Sequence, residues 1–136
     1  MRFDTKIGIV VRDDLAAWQR LNVTAFLASA VAGRFPGVIG EPYEDASGNT
    51  YMAMFRQPVL VYEAGAEEIR KAHTRARTRE MDTAVYIEDM FKTGHDEANR
   101  ETVRAVSADE MPLVGFCVHG PKNGVDKVLK GLRLHP

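Results

Sequence analysis

Apolar and polar positions divide the chain into blocks of two different periods. Lys6–Arg12 (KIGIVVR) is an almost unbroken apolar, β-branched run, as expected for a strand covered on both faces. From Leu15 the spacing changes: Leu15, Trp18, Leu21 or Asn22, Ala25, Ser29 and Ala32 recur with helical period. Beyond Val23 the helix is apolar on nearly every side, which predicts packing all round. Asp13 and Asp14 end the strand and are placed to cap the helix, because a carboxylate accepts from free amide N–H groups at the positive dipole end. Gly33 and Pro36-Gly37 stop it. No other stretch is composed to sit at the centre of a fold.

The remaining blocks alternate. Residues 35–55 form a polar insert whose centre, Tyr43–Tyr51, has the turn residues of a hairpin tip, with a strand resuming over Tyr51–Phe55. Pro58–Tyr62 is a short buried strand, Ala66–Arg79 a helix with a narrow apolar stripe, and Thr83–Ile87 a strand. A polar loop, Glu88–His95, leads to a helix over Asp96–Val106. Leu113–Val118 is a second strongly apolar strand, broken by Gly120-Pro121, and a closing helix runs from Asn123 or Gly124 through Leu132. Strands alternating with helices predict one α/β domain over residues 1–136, a three-layer α/β/α arrangement around a mixed sheet. In that class binding sites collect at the carboxyl ends of strands, here Arg12–Asp14 and Glu88–His95.

Composition adds mainly exclusions. With 136 residues, 45% hydrophobic and 27% charged, the chain can bury a core without disulfide or metal. A net charge of −1 gives no global field toward nucleic acid or membrane. The single cysteine, Cys117, excludes an internal disulfide and fits a reducing cytoplasm. MRFDTK lacks the pattern of a signal peptide, and no apolar run reaches the roughly 18 residues of a spanning helix. A cytoplasmic protein without a membrane partner is the expectation.

Three segments carry a resemblance. VVRDDL with its small-residue helix, QPVLVYEAGAEEIRKAHTRARTREMDTAVYIED, and LVGFCVHGPKNGVDKVLKGLRL resemble, in this order, the opening, middle and close of type II peptidyl-tRNA hydrolases. Those are cofactor-free enzymes with a mixed sheet between helices. WQRLNVTAFLASAVAG, DMFKTGHDEANR and VDKVLKGLRLH together are similar to a bacterial family of uncharacterised proteins, the domain of unknown function numbered two thousand. That resemblance implies a peptidyl-tRNA hydrolase II-like fold. The hydrolases' first helix carries a lysine, then a glutamine and a histidine one turn apart. Here the matching positions hold Leu21 or Asn22, Ala25 or Phe26, and Ala28 or Ser29. Apolar side chains cannot polarise an ester carbonyl or orient a water. Of the hydrolase set only the loop aspartate is matched, by Asp89.

Two readings of function therefore stand. One is a small-ligand-binding or oligomeric module on an old scaffold. The other is a diverged cofactor-free hydrolase acting on a peptidyl-tRNA-like ester, with Asp89 as base. The loop gathers Glu88, Asp89, Lys92, Thr93 and His95, and with Asp14 and Asn22 these residues would line a ligand cleft. A cleft filled by Trp18 or Phe91 would favour the module. Lys71, Arg75 and Arg79, at i, i+4 and i+8, form a basic stripe able to follow an RNA backbone, although Glu67, Glu68 and Glu80 flank it. The histidines lack zinc-type spacing, so neither metal nor cofactor is expected. Cys117 reads as a small buried hydrophobe with a raised pKa, and His119, two residues on, shares its strand face.

Overall fold

A computed structural model describes residues 2–136. Seven strands and four helices follow in the order β1 (Thr5–Arg12), α1 (Ala17–Arg34), β2 (Tyr43–Glu44), β3 (Thr50–Tyr51), β4 (Val59–Ala64), α2 (Ala66–Thr78), β5 (Thr83–Ile87), α3 (Asp96–Arg104), β6 (Leu113–Pro121), α4 (Lys122–Val128) and β7 (Arg133–Leu134). Short 3₁₀ turns lie at Pro36–Val38 and Glu88–Lys92. Five strands form a mixed sheet in the order β5-β6-β1-β4-β7. Within it β1 runs parallel to β4 and antiparallel to β6. No helix among the described residues is long and apolar enough to cross a membrane.

The apolar run in β1 is divided between two cores. Ile7, Ile9 and Val11 face α1 and pack with Val23, Leu27 and Val31, whereas Val10 joins Ile69, Ala72, Ala76, Val125 and Val128 on the other face. Helices therefore cover both sides of the sheet, and strand alternation decides which core each residue enters. Two glycines admit the closest helix approaches. A Cβ at Gly8 would lie 2.5 Å from Leu129 Cδ1, and one at Gly115 would lie 2.6 Å from Val23 Cγ1 and 3.0 Å from the Val10 carbonyl. The register of β5 on β6 shifts between Tyr86 and Ile87, where Tyr86 pairs with Gly115 and Ile87 with Leu113. This irregularity sits where the strand end turns toward the polar loop.

Several local expectations change. Helix α1 starts at Ala17, and neither Asp13 nor Asp14 caps it. Its first turn is fixed instead by Gln19 Oε1, which accepts from the Ala16 amide at 2.9 Å, and by Arg20, which donates to the carbonyls of Asp13 (2.7 Å) and Leu15 (3.0 Å). Nor is the second half of α1 packed all round: Val23, Leu27 and Val31 are buried, but Ala25 and Phe26 are exposed. The many alanines made the pattern look more apolar than the buried stripe is wide. Strand β6 continues through Gly120-Pro121, because pairing with β1 reaches Thr5↔Pro121 and proline is tolerated at a strand end. The tail adds β7 to the β4 edge, with Arg133 paired to Glu63 at 2.8 Å. The insert holds a hairpin of two-residue strands. Asp45 knits its tip by accepting from the amides of Ser47 and Asn49 (both 2.9 Å) and from Tyr51 Oη (2.7 Å). These bonds hold its carboxyl well below the usual carboxylate range, the Tyr51 hydroxyl contributing most.

Candidate functional site

Arg12 is the hinge between the two strand ends marked by the sequence. Its side chain is mostly buried at the end of β1 and donates to Asp14 Oδ1 and Glu88 Oε1, both at 2.6 Å. It also lies 3.4 Å from the Leu113 carbonyl. Burial works against the guanidinium charge, and the two carboxylates outweigh it, raising the pKa. Asp14 and Glu88 are thus held together as partners of an arginine.

Beyond them, the start of α1, the end of β5 and the segment Met90–Asn99 enclose a cleft of about 330 Å³. One wall is aromatic. Trp18 meets Phe91 at a ring-centroid distance of 5.9 Å, Phe91 meets Tyr86 at 5.2 Å, and Tyr86 meets Phe26 at 5.8 Å. Interplanar angles of 70°, 47° and 73° make these edge-to-face and tilted contacts. The remaining lining is polar: Asn22, Thr93, His95, Asp96 and Asn99. Trp18, Asn22 and Phe26 share one helix face at i, i+4 and i+8, so the helix that packs Val23 and Leu27 inward delivers all three to the cleft.

The polar groups are partly engaged with one another. Asn22 Nδ2 donates to Tyr86 Oη at 3.3 Å, and burial raises the phenol's pKa, which keeps it protonated as a donor. Thr93 Oγ1 approaches both the Met90 carbonyl (2.9 Å) and Asn99 Oδ1. His95 caps α3, its Nδ1 accepting from the Ala98 amide at 3.2 Å. Asp96 is paired with Arg100 at 2.6 Å.

The structure therefore gathers three of the expected cleft residues, Asn22, Thr93 and His95. Asp14, Glu88, Asp89 and Lys92 lie outside its lining. Asp89 and Lys92 are exposed in the 3₁₀ turn that carries Phe91 inward. Tyr86, Phe26 and Asn99 were not marked by sequence. Tyr86 looked like ordinary strand core, and Phe26 is visible as cleft-facing only once Asn22 and Trp18 are known to be on the open side. Of the basic stripe, Lys71 and Arg79 are exposed. Arg75 is turned inward, its Nη2 donating to the Val128 carbonyl at 2.8 Å at the end of α4.

A second, smaller cavity of about 180 Å³ lies at the far end of α1, between Val31, Phe35, Ala84, Cys117 and His119, with Arg34 and Asp82 3.4 Å apart at its rim. Cys117 is buried and its thiol pushed up to about 11 by burial, which suppresses the thiolate. His119 stacks on Phe35 at 4.2 Å, both its ring nitrogens buried without a partner, and burial lowers its pKa. No three His, Cys, Asp or Glu side chains come together as a metal site among the described residues.

A family model described as "Protein of unknown function (DUF2000)" matches residues 5–136. The chain is also similar to a solved structure of a protein of unknown function from Agrobacterium tumefaciens strain C58. That structure has 46% sequence identity and a TM-score of 0.97, and the match covers 99% of this chain and 100% of the other. No curated protein matches.

Proposed function

The chain belongs to the DUF2000 family of proteins of unknown function, and from that premise we propose that it is a binding module, taking a small ligand in the aromatic cleft without hydrolysing it. One observation carries this reading. The aromatic rings and Asn22, Thr93, His95 and Asn99 line a single cleft, while Asp89, the one residue matching a hydrolase catalytic group, stays outside it. The volume, about 330 Å³, falls at the small end of ligand sites, which are mostly apolar with a few placed polar groups. We read the scaffold as peptidyl-tRNA hydrolase II-like on the strength of the three matched segments. We place the protein in the bacterial cytoplasm, where its buried cysteine would stay reduced.

A thermal-shift screen of uncharged and charged aromatic fragments tests the binding reading, since a ligand that binds only the native state raises apparent stability. A fragment that stabilises the wild type and not Trp18→Ala supports it; no stabilisation by any fragment defeats it. Hydrolysis is tested separately, by assaying the protein and Asp89→Asn on a peptidyl-tRNA. Turnover that disappears in Asp89→Asn would restore the enzyme reading, with Asp89 as its base.

Self-association is a second reading favoured by one feature. Trp18, Leu21 and Phe26 are 61%, 73% and 50% exposed along α1, and large exposed apolar side chains of this kind mark interaction surfaces when they group together. Light scattering on the wild type and Leu21→Glu distinguishes it: a monomeric wild type ends this reading. RNA contact through α2 has less support, because Arg75 is committed to α4. Filter binding to RNA at low ionic strength, with Lys71→Ala as comparison, is the check.

A further inference from the structure

We infer that the cleft selects an uncharged aromatic ligand bearing a carboxamide or lactam edge, over the corresponding carboxylate or amine. This rests on the binding reading above and names its ligand class. The aromatic wall supplies a ring-binding surface, but its four rings touch one another in a continuous row at 5.2–5.9 Å. Rings packed in a chain, each against the next, spend their edges and faces on one another and differ from a cage whose separate faces converge on an ammonium group. No lysine or arginine lines the cleft, so an anionic head would enter without a countercharge. Its one acid, Asp96, is exposed and paired with Arg100 at 2.6 Å, so its pull on a cation in the cleft is screened and shared.

What remains is a mixed set of neutral donors and acceptors. Asn22 uses its amide nitrogen on Tyr86 Oη, which leaves Asn22 Oδ1 as an acceptor and the phenolic proton as a donor. His95 accepts the Ala98 amide at Nδ1, so the proton of its neutral ring sits on Nε2, a donor. Asn99 is engaged through Oδ1 by Thr93, and its amide nitrogen makes no hydrogen bond among the described residues. A carboxamide offers one carbonyl acceptor and N–H donors and can match both kinds. A carboxylate offers no donor to Asn22 Oδ1, and an ammonium offers no acceptor to Tyr86, His95 or Asn99. Tyr86 is buried and Asn22, Thr93 and Asn99 are half-buried, so a partner that leaves them unmatched is disfavoured more strongly than in an apolar pocket.

The test compares benzamide, benzoate and benzylamine, which share one ring and differ in charge at neutral pH. Trp18 is the only tryptophan, so its fluorescence reports the cleft directly. Benzamide is expected to bind at least about tenfold more tightly than either charged analogue. Asn22→Leu, read by thermal shift to confirm that it folds, should reduce that preference to about twofold or less while the ring still binds. If benzoate or benzylamine binds best, or if Asn22→Leu keeps the full preference, the ligand class is wrong and the binding reading survives. If none of the three perturbs Trp18 or raises the melting temperature while another fragment of the screen does, the ligand class is wrong; if no fragment of the screen does, the binding reading falls as well.

Discussion

The two ends of α1 press on the same sheet face, and each leaves a cavity, yet they differ in chemistry. At the far end Cys117 and His119 line a smaller space of about 180 Å³. Burial has pushed the thiol up to about 11 and left the imidazole nitrogens without partners. At the near end burial raises the Tyr86 phenol's pKa and so keeps it protonated, and Asn22, Tyr86, Thr93, His95 and Asn99 are engaged in hydrogen bonds or caps beside the rings of Trp18, Phe26 and Phe91. Reactive residue types in a cavity do not make a site when desolvation has silenced them. Neutral polar groups held in place with spare donors and acceptors are what the proposed binding reading rests on.

The contrast is broken most severely at the middle of the helix, which both ends depend on. Leu27 is 2% exposed, and Leu27→Ala should cost about 2–5 kcal/mol in urea unfolding, the range for a buried leucine truncated to leave a cavity. A loss below about 1 kcal/mol would mean that α1 is not the common support.

Acid comes next, through the buried histidines. His73, on the opposite face of the sheet, is 4% exposed, with its pKa lowered to about 4 by burial and then by Arg77. His119 is lowered in the same direction by burial. A base with a depressed native pKa binds its proton more readily when unfolded. Stability is therefore intact above the unfolded value, about 6.5, and falls as the pH drops toward the native value. For His73 that window runs from about 6.5 to about 4, with a loss of about 1–3 kcal/mol across it. Urea midpoints against pH should flatten in His73→Leu. An unchanged slope would show that the histidine is not the titrating group.

A smaller effect separates the two cavities. His119→Phe keeps a ring against Phe35 and removes two unsatisfied nitrogens, so stability should rise by up to about 1 kcal/mol while fragment binding at the near end is unchanged. Loss of binding in this variant would mean that the ends communicate or that the ligand sits at the wrong one. Smallest of all is Arg34→Ala: the Arg34–Asp82 pair is 3.4 Å apart and exposed on both sides, and its removal should change stability by less than about 0.5 kcal/mol.

The sequence made the core legible because period and burial agree there. Ile7 to Val11, the stripe in α2 and the apolar strand Leu113–Val118 all lie where hydrophobic spacing puts them. It was less informative where one residue type serves two roles. Alanine and phenylalanine in α1 read as core whether inward or outward, so Phe26 and the exposed side of the helix were hidden. The cleft was half legible. Polar residues in a loop after a strand pointed to Thr93 and His95, and the position matching the hydrolases' helix lysine pointed to Leu21 or Asn22. Sequence does not specify which side chains of a five-residue 3₁₀ turn face inward, and there Phe91 enters the cleft while Asp89 and Lys92 stay at the surface. Nor does it reveal that Glu88 would join Asp14 on one arginine, because the Arg12–Glu88 pairing spans 76 positions.

The most direct measurement is an amide-resolved NMR titration of the wild-type protein with benzamide. Binding in the cleft should confine shifts to the side-chain amides of Asn22 and Asn99, the backbone of Thr93–His95 and the Trp18 indole. Shifts centred on Arg34, Ala84 and His119, or none at saturating benzamide, would contradict it.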